Sequence, residues 1–349
     1  AQNIVLAWLA GGRSFELKTV QVLDELDIER PCIDMRHVGY NIEWSQELTL
    51  PESLLEYRKS ALLLEVLRRW EPLGQVLGQA GDHLFELSVG YDLAGVQSES
   101  MTRLIDGLCH ARDGIDALRE QIGGPFAALK DVPVPDRLVR TATISTFHGC
   151  PPAEVEGIVK HLMTAHGLDV TVKLNPTLLG PAAVAEILHE RLGYHDISLV
   201  PEAFAEDQKF DGALQLITRL QEFAAAEGRE FGIKLTNTLV VANDQAVLPG
   251  ERMYMSGAPL HVLAVPLRDK LAAALPGVLR LGDGPGPVPV AFSAGIDKKN
   301  LTDAVALGLR PVTICSDLLK PGGYGRMAAG LRPVSYTHLT LPTTGSWGG

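Results

Sequence analysis

The chain of 349 residues has only four cysteines, Cys32, Cys109, Cys150 and Cys315, and no two of them form a C-x-x-C pair. That spacing excludes a zinc ribbon or an iron–sulfur cluster built from neighbouring thiolates, and it fits a reducing cytosol. No run of Lys and Arg occurs, and the net charge is -11. Nucleic acid and anionic membrane surfaces select for basic patches, so neither is expected as a partner, and a small-molecule substrate is the default. No apolar run reaches the roughly 18 to 20 residues that a membrane helix needs. The N-terminus AQNIVLAWLAGG has neither Met nor a basic leader, and it reads as truncated at its front. No Gly/Ser-rich or Pro-rich linker divides the body. One cytoplasmic domain is the expectation.

What is present suits a large α/β fold. Hydrophobic residues make up 46% and charged residues 21% of the chain, enough to bury a sizeable core. Short β-type runs alternate with helical ones, the pattern of a parallel sheet with crossover helices. The predicted strands are SFELKTV (14–20), LFELSVG (84–90), RTATIST (140–146), VTVKLN (170–175), ISLV (197–200), FGIKLTN (231–237), VPVAFSA (288–294) and PVTICSD (311–317). Eight is the number for a closed (β/α)8 TIM barrel. Two crossover helices are punctuated by Pro at the start and Gly at the end, one finishing at Gly167 and one running from Pro181 to Gly193. The stretches 51–79 and 98–128 have helical Leu spacing and exceed a minimal barrel, so they read as insertions on the rim. The barrel is assigned to 1–332. The tail 333–349, ending SYTHLTLPTTGSWGG, shows no periodicity and is set aside as non-native or disordered.

The chemistry gathers at strand ends. FELKTV ends in Lys18 and Thr19, VTVKLN in Lys173 and Asn175, and FGIKLTNT in Lys234, Asn237 and Thr238. A lone Lys at a strand terminus is most often a snorkelling surface residue. Three of them in a barrel mouth call for an anion, an enolate or an electron-rich ring as counter-charge. A second cluster is small and Gly-rich: MSGAPL with Ser256 and Gly257, FSAGIDKKN with Ala294 and Gly295, and ICSDLLKPGGYGR with Ser316. Each glycine alone is a helix stop or a tight turn. Together they free backbone N–H groups for a phosphate between the last two strands. The HGCPP loop allows two readings: a tight turn into a Pro-started helix, or a site where His148 or Cys150 exchanges a proton. In the second, the helix N-terminus would bring the thiol pKa toward neutrality. His148 and Cys150 have no further ligands at usable spacing, so no metal is expected. Cys315 reads as a buried small hydrophobe.

The order of these motifs, with N-I-E at 41–43, resembles the FMN-binding barrel of dihydroorotate and dihydropyrimidine dehydrogenases. The longer strings STFHGCPP, VKLNPTLLG, KLTNTL, PGERMYMSG and DLLKPGGYGR are similar to a family named for a selenate reductase flavoprotein subunit. The resemblance covers residues 1 to about 332. It implies FMN as cofactor, with Lys173 near N1 and O2 of the flavin ring and Lys18 and Thr19 over the flavin edge. It further implies that Asn41, Asn237 and Thr238 contact substrate, and that Ser256, Gly257, Ala294, Gly295 and Ser316 form the phosphate cradle. Iron–sulfur and FAD or NAD(P) modules would lie in parts outside this chain and would be its electron-transfer partners. This sequence departs from the family pattern in three ways. The family's first strand, P-V-G-x-A-A-G, has no match, which makes ISLV with the following PEAF the expected insertion among the eight strands. The L-N-L-S-C-P loop appears as ATISTFHGC, with Thr143 for its Asn and Thr146 for its Cys, leaving Thr146, His148 and Cys150 as candidates for proton transfer. K-L occurs before both N-P and T-N-T, so Lys234 competes with Lys173 for the flavin position. Three readings stay open: a flavin-dependent oxidoreductase module, a barrel kept as a docking scaffold, and a lyase using Lys173 or Lys234 as a Schiff-base amine.

Overall fold

The computed structural model describes residues 1–19, 29–36, 38–42, 48–77, 82–145 and 149–340, with side chains as far as 332. Its strands, in chain order, are β1 (Ser14–Lys18), β2 (Ile33–Asp34), β3 (Tyr40–Asn41), β4 (Leu84–Val89), β5 (Val139–Ile144), β6 (Asp169–Leu174), β7 (Phe231–Leu235), β8 (Leu239–Ala242), β9 (Arg252–Met255), β10 (Leu279–Arg280) and β11 (Val288–Phe292). Seven form one parallel sheet in the order β1-β4-β5-β6-β7-β11-β10. A single parallel bridge, Phe292 with Val312, extends it beyond β11. The other four strands make a small antiparallel sheet, β2-β3-β9-β8.

The parallel strands do not read as continuous apolar runs, and the reason is the shape they build. Side chains alternate between the two faces of a strand. In β1, β4 and β5, one parity gives Phe15, Leu17, Phe85, Leu87, Val89, Ala142 and Ile144, all buried in the core that the helices cover. The other parity gives Glu16, Lys18, Glu86, Ser88, Thr141 and Thr143. In β6 and β7 it gives Thr171, Lys173 and Lys234. These residues line an interior that closes on itself. Lys234 on β7 forms ion pairs with Glu16 on β1 and Glu86 on β4, strands four and three places away in the sheet. The sheet is curled into a barrel with an apolar outer layer and a polar lumen.

Local signals in the sequence set the helices that wrap it. Thr49 and Glu52 form a reciprocal capping box at the start of helix Leu50–Arg69. Helix Pro152–His166 begins on Pro152 and stops at Gly167, whose φ of 62° only glycine adopts at little cost. The stretches expected as rim insertions are helical over Leu50–Arg69, Glu71–Leu77, Glu99–Cys109 and Arg112–Arg119, as their Leu spacing implies. But Leu50–Arg69 connects the parallel neighbours β1 and β4, and Glu99–Cys109 connects β4 and β5, so these two are crossover helices of the barrel rather than additions to it.

Two of the eight predicted strands are corrected. ISLV (197–200) is no barrel strand: Leu199 makes one antiparallel bridge to Val241 on β8, outside the barrel. Four residues followed at once by Pro201, which starts helix Pro201–Glu206, leave no length for a ladder. PVTICSD reduces to the Val312 bridge, because the chain tightens into a 3-10 turn at Ser316–Leu319. The last described helix is Gly325–Thr340.

Candidate functional site

Glu16, Glu86, Lys173 and Lys234 meet in the lumen, where the ion pairs of Lys234 bring the lysines of β6 and β7 to the glutamates of β1 and β4. Glu16 is the direct partner of Glu86, and Lys173 of Lys234. Lys234 is wholly inaccessible to solvent. It donates to Glu16 in a short contact and to Glu86 Oε2 at 3.4 Å. The carboxylates have further donors: Thr143 Oγ1 to Glu86 Oε1 at 2.5 Å, and Thr313 Oγ1 to Glu16 Oε1 at 3.2 Å. Burial acts to raise the Glu16 pKa, but the charges of Lys173, Lys234 and Lys18 overcome it and hold the carboxyl well below its usual range. Burial likewise acts to lower the Lys234 pKa, and the two glutamates reverse it, so the amine titrates above its ordinary value. A buried ammonium held by two carboxylates is spent as an internal counter-ion.

Lys173 differs. It is half-buried, and its ammonium has no hydrogen-bond or ion-pair partner among the described residues. Burial, with the repulsion of Lys18 foremost among the charges, brings its pKa down from 10.5 to about 8. Lys18 points to the same mouth, where its ammonium donates to Ser88 Oγ at 3.1 Å. Thr19 donates to the Ser88 carbonyl from both its amide and its hydroxyl, which fixes the K-T pair at the end of β1. Among the described residues, this part of the lumen therefore sets three ammonium groups against two carboxylates, and the uncompensated charge is positive. Beyond β6 and β7, Asn237 Nδ2 donates to Asn175 Oδ1 at 2.7 Å and to the Lys173 carbonyl at 3.2 Å. Thr238 beside it is half-buried. Buried hydroxyls at Ser145, Thr236 and Ser293, each one residue past a barrel strand, have no partner among the described residues.

The glycine cluster also comes together. Gly257 lies two residues past β9 and caps the N-terminus of helix Ala258–Ala274, so it follows a strand of the small sheet rather than one of the barrel. Gly295 follows β11 and packs on it: a Cβ at 295 would lie 2.2 Å from the Gly257 carbonyl oxygen, and a Cβ at 257 would lie 2.0 Å from that of Val38. Both positions have positive φ, 75° and 56°. The glycines are thus demanded first by backbone-to-backbone contact. That contact leaves the amides of Gly257, Ala294 and Gly295 donating to no group among the described residues. Ser256 Oγ and Ser316 Oγ lie 3.4 Å apart at the same place, and the Ala294 carbonyl is held by His261 at 3.3 Å. These three amides, at the N-terminus of a 17-residue helix, are donors suited to an oxyanion or phosphate, while Ser256 Oγ donates to the Gly39 carbonyl at 3.3 Å and Ser316 Oγ to Ser256 Oγ beside them.

Other candidates fall differently. Asn41 is buried in β3, with Nδ2 on the Tyr254 carbonyl at 3.3 Å and Oδ1 without a partner among the described residues. Thr146 and His148 lie outside the described residues. Cys150 is buried, and desolvation, then Glu154 and Asp92, push its thiol up to about 11. The expected drop at the helix N-terminus is overridden by burial and by these carboxylates. Cys315 is no buried hydrophobe: it is exposed at the mouth, since the chain leaves the sheet at Val312 before reaching it. Glu16 and Glu86 were not singled out from the sequence. Their signal is the repeated FEL of FELK and FELS, which puts a Glu on the same strand face as Lys18 and Ser88. No group of three His, Cys, Asp or Glu among the described residues could hold a metal ion, and no described helix is long and apolar enough to cross a membrane.

Comparison with known proteins agrees with the architecture. A family model described as oxidoreductase YgfK, N-terminal TIM-barrel domain, matches residues 1–340. Proteins named as oxidoreductase YgfK in Escherichia coli (strain K12) and Escherichia coli O157:H7 are each 40% identical over 351 aligned positions, covering 95% of this chain and 33% of theirs. The chain thus spans about a third of the length of these relatives. Among solved structures, DHODH in complex with ferulenol from Eimeria tenella aligns with a TM-score of 0.40 at 11% identity, covering 93% of this chain and 75% of the other. The name these relatives bear is YgfK rather than selenate reductase. With its parallel barrel, its ordered strand-end motifs and a match across 1–340, the chain belongs to the oxidoreductase YgfK family, as the N-terminal TIM-barrel domain.

Proposed function

We propose that this barrel is an FMN-binding oxidoreductase module, in which Lys173 faces the flavin and the loops around Gly257 and Gly295 take its phosphate. The observation behind this reading is the charge asymmetry of the lumen. Lys234 is neutralised by Glu16 and Glu86, while Lys173 next to it has an ammonium with no partner among the described residues. A cation so placed favours an anionic ligand or a ring that gains negative charge. Bound FMN supplies a two-electron acceptor that becomes negatively charged on reduction. The chain's own residues then divide the work. Lys173 stabilises charge, Lys18 and Thr19 border the ring, and the amides of Gly257 and Gly295 with Ser256 and Ser316 hold the phosphate. Asn41, Asn237 and Thr238 are proposed to meet the substrate. Thr146, His148 and Cys150 are the candidates for proton transfer. With its thiol near 11, Cys150 fits the role of an acid better than that of a base.

The remaining two thirds of the relatives' length would hold the partners, iron–sulfur and NAD(P)H-oxidising modules of a selenate reductase-type flavoprotein. The test is direct: the full-length protein, purified and then denatured, releases FMN in near-equimolar amount. Folded protein that is colourless and takes up no added FMN would instead favour the docking scaffold. The Schiff-base lyase reading has one observation of its own, the partnerless Lys173 amine with its pKa near 8. Borohydride trapping of a carbonyl compound on Lys173 would support it.

A further inference from the structure

Two loops at the mouth, one after β5 and one after β6, are joined by a carboxylate from a segment that belongs to neither. Asp207 follows helix Pro201–Glu206 and is almost fully buried. Its Oδ1 accepts from the Gly149 amide at 2.8 Å, and its Oδ2 accepts from Thr177 Oγ1 at 2.7 Å. Gly149 precedes Cys150, and Thr177 stands in the 3-10 turn Pro176–Leu179 that follows Asn175. Cys150, Lys173, Asn175, Asp207 and Gln208 line one cavity, so the bridge lies where the two loops face each other. A buried carboxylate tolerates its surroundings only when directed donors satisfy it, and here each oxygen takes one loop.

We propose that Asp207 is a positioning residue that clamps the Gly149–Cys150 end of the proton-transfer loop to the turn after β6, beside Lys173. Its catalytic side rests on the FMN reading above, while the clamp itself does not. Segment 197–207 stands outside the barrel ladder, and this gives it a role there: it supplies the tie that sets the loop's distance from the cofactor. Gly149 has a φ of 81°, a conformation that keeps its amide turned to Asp207 at little cost for glycine.

The test uses the full-length protein with Asp207→Ala and, as a milder variant, Thr177→Val, which removes only the Thr177 Oγ1–Asp207 Oδ2 bond. Iodoacetamide alkylation of Cys150 and of Cys109, which is buried in helix Glu99–Cys109, is followed by peptide mass spectrometry. Loss of a charge-assisted tie should speed Cys150 alkylation by about tenfold in Asp207→Ala and less in Thr177→Val, with Cys109 unchanged. At equal FMN occupancy, the visible absorption band of the bound flavin should shift in Asp207→Ala. An unchanged Cys150 rate, or a Cys109 rate that rises with it, overturns the clamp. If Asp207→Ala does not fold, Thr177→Val gives the same readout on its own. An unshifted band with faster Cys150 alkylation overturns the positioning role. If the parent protein binds no FMN, the flavin reading fails while the alkylation rates still decide the clamp.

Discussion

Lys173 and Lys234 are direct partners across the β6–β7 ladder, yet their ammonium groups have opposite surroundings. Lys234 is ion-paired with Glu16 and Glu86, whereas Lys173 feels the charge of Glu16 but makes no ion pair among the described residues. One register thus yields a cation ion-paired to two glutamates and a cation without an ion pair among the described residues, and it is the second, Lys173, that is proposed to face the cofactor.

Removing the structural cation should cost stability. Lys234→Met leaves Glu16 and Glu86 buried without their counter-charge, a loss of about 3 to 5 kcal/mol. Urea denaturation of the parent and the variant measures it. A loss under about 1 kcal/mol would mean that water, not Lys234, solvates the carboxylates.

The affinity for FMN should fall as the pH rises through about 8. The folded-state pKa of Lys173 is depressed from 10.5 to about 8, so the amine is charged below that pH and neutral above it. Ligand attraction is lost in that range. The folding contribution has the opposite sign, because the folded state prefers the neutral amine and gains stability as pH rises from about 8 toward 10.5. Fluorescence titrations with FMN at several pH values check the first effect, and Lys173→Met should abolish the pH step.

Acid should destabilise the barrel from the usual carboxyl range downward. The folded-state pKa of Glu16 lies below its unfolded value of 4.5, so its contribution is present above that value and is lost as pH falls toward the folded pKa. His83, His161 and His261, whose pKa values burial lowers, act in the same direction below about 6.5. Glu16→Gln should flatten the lower part of the acid-unfolding profile, followed by circular dichroism.

Gly295→Ala should damage both packing and phosphate binding. Its Cβ would fall 2.2 Å from the Gly257 carbonyl oxygen at a φ of 56°, and relief of that contact must separate the two loops. A stability loss of about 2 to 4 kcal/mol is expected from thermal denaturation, with FMN retention lost as well.

Much of the barrel was legible in the residues. SFELK, LFELSV, VRTATI, DVTVKL, FGIKL and VPVAF all form strands, because alternation and flanking turns fix them locally. ISLV and PVTICSD resembled strands by composition, but a ladder needs neighbours of sufficient length, which no window of sequence reveals. The three lysines and the glycine cluster were visible as strand-end and loop motifs. The pairing of Lys234 with Glu16 was not, since it joins residues 218 apart through closure of the sheet. The exposure of Cys315 and the high pKa of Cys150 were hidden for the same reason: both depend on what packs around the thiol.

The most direct measurement is the dissociation constant of FMN for the full-length protein beside Lys173→Met, at pH 7 where the amine is charged. Tight binding by the parent, weakened about tenfold to a hundredfold in the variant while the fold stays intact, is the expected result. Equal affinity in the two proteins, or no FMN bound by the folded parent, would contradict the assignment of Lys173 to the cofactor.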